Sequence, residues 1–245
     1  FLMLDEFNSD NADDYMAGFP SHPHRGFETV TYMLEGNMLH RDHMNNEGLL
    51  QSGDVQWMTA ARGIIHSEMP QQVAGKMRGF QLWINLPAKE KMKDSHYKDI
   101  KSESIPVVET DDAVVKVIAG EVELNDKVVN GAVSGISTAP IYLDVILKAG
   151  QTFKLPVPNN HALMVYVYQG KATIDGQVIN AQQMAQTSEG EQLSLENTSN
   201  HESRFLVLAG KPLKEPIANW GPFVMNTPEE IEQAISDYRN GVLTD

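Results

Sequence analysis

Short runs that alternate between apolar and polar positions, or are apolar throughout, dominate the chain. Phe80-Gln81-Leu82-Trp83-Ile84 shows the pattern most cleanly. Thr29 to Leu34, Asp54 to Met58, Val114 to Ile118, Tyr142 to Leu147, Leu163 to Tyr168 and Phe205 to Leu208 are short runs rich in β-branched and aromatic residues. Runs of this length and makeup predict strands. Turn residues punctuate them at Glu35-Gly36, Ser52-Gly53-Asp54, Ala149-Gly150, Gln169-Gly170, Asp175-Gly176 and Glu189-Gly190. Asp175-Gly176, between Ala172-Thr173-Ile174 and Gln177-Val178-Ile179, predicts a hairpin. Many strands at short spacing predict an all-β sandwich or barrel. Helical spacing is well signalled once, after the capping-box sequence Thr227-Pro228-Glu229-Glu230. Ile231, Ala234, Ile235 and Tyr238 then share one face, and Gly241 marks a stop. A weaker helix or turn is expected over Ala88 to Tyr97.

The strand pattern repeats. Tyr32-Met33-Leu34-Glu35-Gly36 resembles Tyr166-Val167-Tyr168-Gln169-Gly170, and Ser52-Gly53-Asp54 resembles Glu189-Gly190-Glu191. Two matches in the same order predict a duplicated β-domain. The expected division is residues 1–125 and 126–245, with the C-terminal helix in the second part.

Composition narrows the chemistry. The 245 residues include no cysteine, which excludes disulfides, thiolate metal sites, iron–sulfur clusters and a catalytic thiol. Any metal must be held by His, Asp or Glu. The formal charge of -14 disfavours direct nucleic-acid binding. No apolar run approaches the ~18 residues of a membrane span. The first fourteen residues carry five acids and no base, unlike a secretory signal. The chain opens on Phe1, so residues are expected to precede it. The default expectation is a cytoplasmic monomer, or a nuclear one in a eukaryote.

Five of the eight histidines lie between residues 22 and 66. His22-Pro23-His24 and His66-Ser67-Glu68 are both i,i+2 pairs, and in a strand such pairs point to one face. If the two strands are neighbours, three imidazoles and a carboxylate converge. That set suits Fe, Zn, Cu, Ni or Mn and leaves positions open on an octahedral ion.

Gly18-x3-His22-x-His24-x3-Glu28-x7-Gly36, followed by Gly53 and Gly63-x2-His66, resembles the two cupin motifs. The longer strings His22 to Tyr32, Gln56 to Met69, Leu2 to Phe7, Gln81 to Leu86 and Gly221 to Thr227 resemble the pirin family across nearly the whole chain. The resemblance implies two tandem cupin (jelly-roll) β-barrels and one divalent metal in the first, Fe(II) foremost, with Mn, Co, Ni, Cu and Zn also compatible. The implied ligands are His22, His24, His66 and Glu68, with Glu68 also catalytic. Glu28, His40, Arg25 and Arg62 are expected to support the ligands or line the pocket, the arginines by binding an anionic substrate or pairing with acids. Ala61 stands where the family usually has Gly. Shifted by the repeat offsets, the ligands land on Pro156, Pro158, Ser203 and Phe205, so the second barrel is expected to lack them. Pirin-like bicupins resemble quercetin 2,3-dioxygenases, which implies a small aromatic substrate and O₂. Eukaryotic pirins resemble redox-sensing cofactors of transcription, which implies a protein partner instead.

Overall fold

The computed structural model describes every residue except Glu189, so the turn expected at Glu189-Gly190 lies partly outside the described residues. The chain forms two compact units, Phe1–Ser102 with Leu213–Asp245, and Glu103–Pro212. Both are jelly-roll β-barrels of the cupin type.

In the first unit the strands are β1 (Met3–Ser9), β2 (Phe19–His24), β3 (Phe27–Glu35), β4 (Met38–Asp42), β5 (Glu47–Leu50), β6 (Val55–Thr59), β7 (Ile64–Pro70), β8 (Met77–Asn85) and β9 (His96–Ile100). They make a five-stranded sheet in the order β1-β8-β3-β6-β9 and a four-stranded sheet in the order β2-β7-β4-β5. Thr31 on β3 reaches Glu68 on β7, so the two sheets enclose a common interior. Directly paired residues share a face. Phe27, Thr29 and Thr31 therefore point inward with their partners Asn85, Trp83 and Gln81 on β8. Met3 and Asp5 of β1 join them opposite Trp83 and Gln81.

The second unit repeats this plan. The order β8-β3-β6 recurs as Ser203–Gly210, Ala162–Gln169 and Gln183–Gln186, and β2-β7-β4-β5 recurs as Thr152–Pro156, Gln192–Glu196, Lys171–Ile174 and Gln177–Asn180. The expected hairpin is present, with Asp175 and Gly176 both at positive φ, 47° and 76°. Even the irregularities match. The pairing register slips between Met33 and Glu35 in one barrel and between Val167 and Gln169 in the other. The first repeat match is thus structural. The second is not: Gly190 precedes the counterpart of β7, whereas Gly53 precedes β6.

The division of the chain differs from the expected one. Ala113–Ala119 pairs with Ile141–Leu147 and so belongs to the second barrel, which begins before residue 125. The last segment folds with the first unit. Its helix α2 (Pro228–Arg239; α1 is the short Ala12–Tyr15) starts on the expected capping box, with Thr227 Oγ1 accepting from the Glu230 N–H at 3.2 Å. Ile231 and Ala234 pack with Phe223, Met225 and Leu243 against Ile65 of β7. Within Ala88 to Tyr97 there is only a single 3₁₀ turn, Ala88–Glu90, before β9 begins. Among the described residues no helix is long and apolar enough to cross a membrane.

Ala61 occupies the left-handed region, φ 43°, and its carbonyl accepts from the Gly26 N–H at 2.7 Å. That conformation costs a non-glycine residue about 1–2 kcal/mol, against about 0.4–1 kcal/mol of extra unfolded-state freedom for glycine. Ala61→Gly is expected to stabilise the protein by about 0.5–1 kcal/mol. Thermal denaturation checks it, and a lower midpoint would contradict the strain argument.

Candidate metal centre

Strand alternation and one register build the cluster. On β7, Ile64, His66 and Glu68 are buried while Ile65 and Ser67 are less so. His22 on β2 sits directly opposite His66, and His40 on β4 directly opposite Glu68. His22, His24 and His66 each offer a ring nitrogen, all within 4.8 Å of one another. Glu68 groups with His66 and His40 within the same distance. The two sets overlap at His66 and form one inward-facing cluster.

Contacts orient the rings. His22 Nε2 lies 3.0 Å from His24 Nε2, and His66 Nδ1 lies 3.3 Å from His40 Nδ1. His66 Nε2 is buried with no hydrogen-bond partner among the described residues. A neutral imidazole has one proton. With that proton on Nδ1 and shared with His40, His66 presents the Nε2 lone pair to a ligand. His24 is held edge-on by Phe27 and Trp83, at ring separations of 5.2 and 5.4 Å.

Burial sets the protonation of the whole cluster. It pushes His24 down to about 3, with His22 nearby adding to the effect. It also lowers His66 strongly, His22 and His40. All four imidazoles are therefore neutral near pH 7, the state that binds metal. Burial raises Glu68 to about 7, opposed by the Thr31 contact. Thr31 Oγ1 lies 3.1 Å from Glu68 Oε1 and 2.6 Å from Gln81 Oε1. Its single proton serves one of them. With Glu68 protonated, the chain Glu68 to Thr31 to Gln81 is complete; with Glu68 ionised, Thr31 turns to the carboxylate. Unpartnered imidazole nitrogen beside a carboxyl group fits a divalent ion with N and O ligands.

A cavity of about 120 Å³ opens on the cluster. Met3, Phe7, Phe19, Met38 and Trp83 make most of its wall apolar, and Asp5, Thr31 and Gln81 supply the polar lining.

Glu28, Arg25 and Arg62 lie away from the cluster, and the two arginines follow the acid-pairing alternative. Glu28 is on β3 with the opposite parity to Thr31, so it faces away from the histidines and accepts from Thr59 Oγ1 at 2.7 Å. Arg25 is buried and pairs with Asp237 at 2.6 Å. Arg62 is half-buried, 3.6 Å from Asp94. None of the three lines the pocket. His43 accepts from the Ile65 N–H at 3.3 Å. The sequence reading missed Thr31, Gln81 and Asp5; their signal is a polar residue at the inward parity of a strand. In the second barrel, the counterparts of β2 and β7 turn Phe153, Leu155, Leu193 and Leu195 into its core. The apolar residues that replace the ligands are these, in place of Ser203 and Phe205, which lie on the counterpart of β8. His161 and His201 belong to this unit; His161 Nε2 lies 2.9 Å from the Ala139 carbonyl.

Residues 1–84 match the model of the family described as Pirin, and residues 142–244 match that of the Pirin C-terminal cupin domain. A Pseudomonas aeruginosa protein provisionally named quercetin 2,3-dioxygenase is 56% identical, covering 99% of this chain and 86% of its own length. Pirin of Homo sapiens is 42% identical, covering 98% and 81%. The crystal structure of a quercetin 2,3-dioxygenase from Acinetobacter baumannii superposes with a TM-score of 0.88 at 36% identity, covering 99% of this chain and 85% of that one.

The raised carboxyl predicts proton-linked metal uptake. Below about pH 7 the metal-free Glu68 holds a proton that an entering cation displaces. Calorimetric titration at pH 6 in buffers of different ionisation enthalpy is expected to show release of about one proton per ion, with affinity falling as pH drops. Glu68→Gln abolishes the release; a wild-type protein that releases none would refute the assignment.

Proposed function

The chain belongs to the pirin family, and we propose that it is a metal-dependent dioxygenase opening the central ring of flavonols such as quercetin. One divalent ion, Fe(II) foremost, is held by His22, His24, His66 and Glu68. The observation that carries this reading is the register-paired histidine cluster, with a buried carboxyl of near-neutral proton affinity, at the end of a largely apolar pocket. The family membership and the similarity to quercetin 2,3-dioxygenases support the same chemistry.

A redox-active ion supplies, when bound, polarisation of the substrate oxygens and an electron path between substrate and O₂. The protein supplies the rest. Glu68, ionised once the ion is bound, takes the proton of the flavonol 3-hydroxyl. Thr31 turns toward the carboxylate when Glu68 is ionised and back to Gln81 when it gains the proton. Trp83 and Phe27 hold His24 and exclude water. A cavity of about 120 Å³ is smaller than the ~300–1,000 Å³ that encloses a drug-sized ligand. The reacting ring enters, and the remainder of the flavonol lies at the mouth beside Phe19, which is 47% exposed.

Iron-loaded protein is expected to consume quercetin in air, releasing carbon monoxide, and to leave it intact without O₂. Glu68→Gln should lower the rate at least 10²-fold. His22→Ala should lose most of its metal on elemental analysis. Absence of O₂-dependent quercetin loss by the iron form would end the enzymatic reading and leave the protein-partner role. Unchanged metal in His22→Ala would overturn the ligand set.

A further inference from the structure

We infer that the C-terminal segment Leu213–Asp245 is a strap that sets the spacing of the two metal-binding pairs, with Arg25 as its positioning residue. The inference rests on the metal centre of the preceding reading and assigns a function to residues whose side chains lie outside the pocket.

Arg25 immediately follows His24. Its backbone is clamped to the segment in both directions: the Arg25 N–H donates to Pro222 O at 3.2 Å, and the Val224 N–H donates to Arg25 O at 3.0 Å. Its guanidinium then spans three places at once. Nη1 pairs with Asp237 of α2 at 2.6 Å, Nη2 donates to Leu243 O at 2.9 Å, and Nε donates to Arg62 O. Arg62 lies four residues before His66. One buried side chain thus joins the exit of the first ligand pair, the approach to the second, and the strap.

A second clamp reinforces the first. Lys91 Nζ donates to Gly26 O at 2.7 Å, Val224 O at 2.9 Å and Asn85 Oδ1 at 2.6 Å, all neutral acceptors. The chain approaches so closely that a Cβ on Gly26 would collide with Val224 O, and one on Gly63 with Leu243 O. The strap also covers the back of the ligand strand: Ile65, between the inward-facing Ile64 and His66, packs against Phe223, Met225, Ile231, Ala234 and Leu243. Neither ligand pair can shift relative to the other without disturbing the strap. Binding is reciprocal, so an ion that fixes the ligands also fixes the strap.

The test measures Zn(II) affinity of the full chain by chelator competition and the visible spectrum of the Co(II) form. Asp237→Ala and the milder Asp237→Asn are expected to weaken Zn(II) binding about 10-fold, the low end for residues that orient metal ligands, and to alter the Co(II) spectrum. Asp237→Glu, which keeps the carboxylate, recovers most of the affinity. Tyr168→Phe removes a buried 2.6 Å hydrogen bond to Asp144 in the other unit and is expected to leave both readouts unchanged. In wild type, Zn(II) should slow amide hydrogen exchange across residues 222–243, a measurement that needs no variant. Wild-type affinity in folded Asp237→Ala, an equal loss in Tyr168→Phe, or no exchange protection would each overturn the strap. His22→Ala separates the two levels. If it binds Zn(II) as wild type does, the metal centre itself is wrong; if it fails while Asp237→Ala binds normally, only the strap is.

Discussion

Desolvation of a polar cluster is the constraint around which the first barrel is organised. Four histidines and a carboxyl group turn into an interior whose remaining wall is mostly Phe, Met and Trp, with Asp5, Thr31 and Gln81 as its other polar residues. Burial there penalises every charged form, so the imidazoles shed protons and Glu68 keeps one. The result is a nest of neutral imidazole lone pairs, in which the proton on Glu68 is the one a divalent cation has to displace. Thr31 and Gln81 matter for the same reason: in a dry interior each hydrogen bond must be accounted for, and theirs adapts to either state of Glu68.

The duplicated architecture shows what this costs and how it is avoided. The second barrel keeps the strand order and the bulge, but fills the equivalent inward positions with Leu and Phe. Its interior is a hydrophobic core of aliphatic and aromatic side chains. The two units therefore divide the work, one gaining a polar site and the other keeping a packed interior from the same pattern of alternation.

The return of the chain to the first unit completes that site from behind. Strands that carry ligands inward must also cover their outer face, and for β7 this falls to Ile65 against the C-terminal strand and helix. Arg25 and Lys91 turn that packing into a connection between the two ligand-bearing strands. An arginine beside a metal-binding histidine can look like a substrate anchor in sequence. Here alternation sends it out of the pocket, to a carboxylate more than two hundred residues away along the chain.

Local chemistry was legible in the sequence by itself: the strands, the Asp175-Gly176 hairpin, the capped helix, the paired histidines and the pirin resemblance. Each depends on residues a few positions apart, where period, turn preference and capping act directly. Glu28 was misplaced, and the choice between substrate binding and acid pairing for Arg25 and Arg62 stayed open, because nearness in sequence does not say which face of a strand a residue takes. The pairing of His22 with His66, the chain Glu68–Thr31–Gln81 and the closure of the first unit by residues 213–245 were decided only by tertiary structure. Register and long-range packing are properties of strands meeting across the chain, and no local pattern encodes which partner lies opposite.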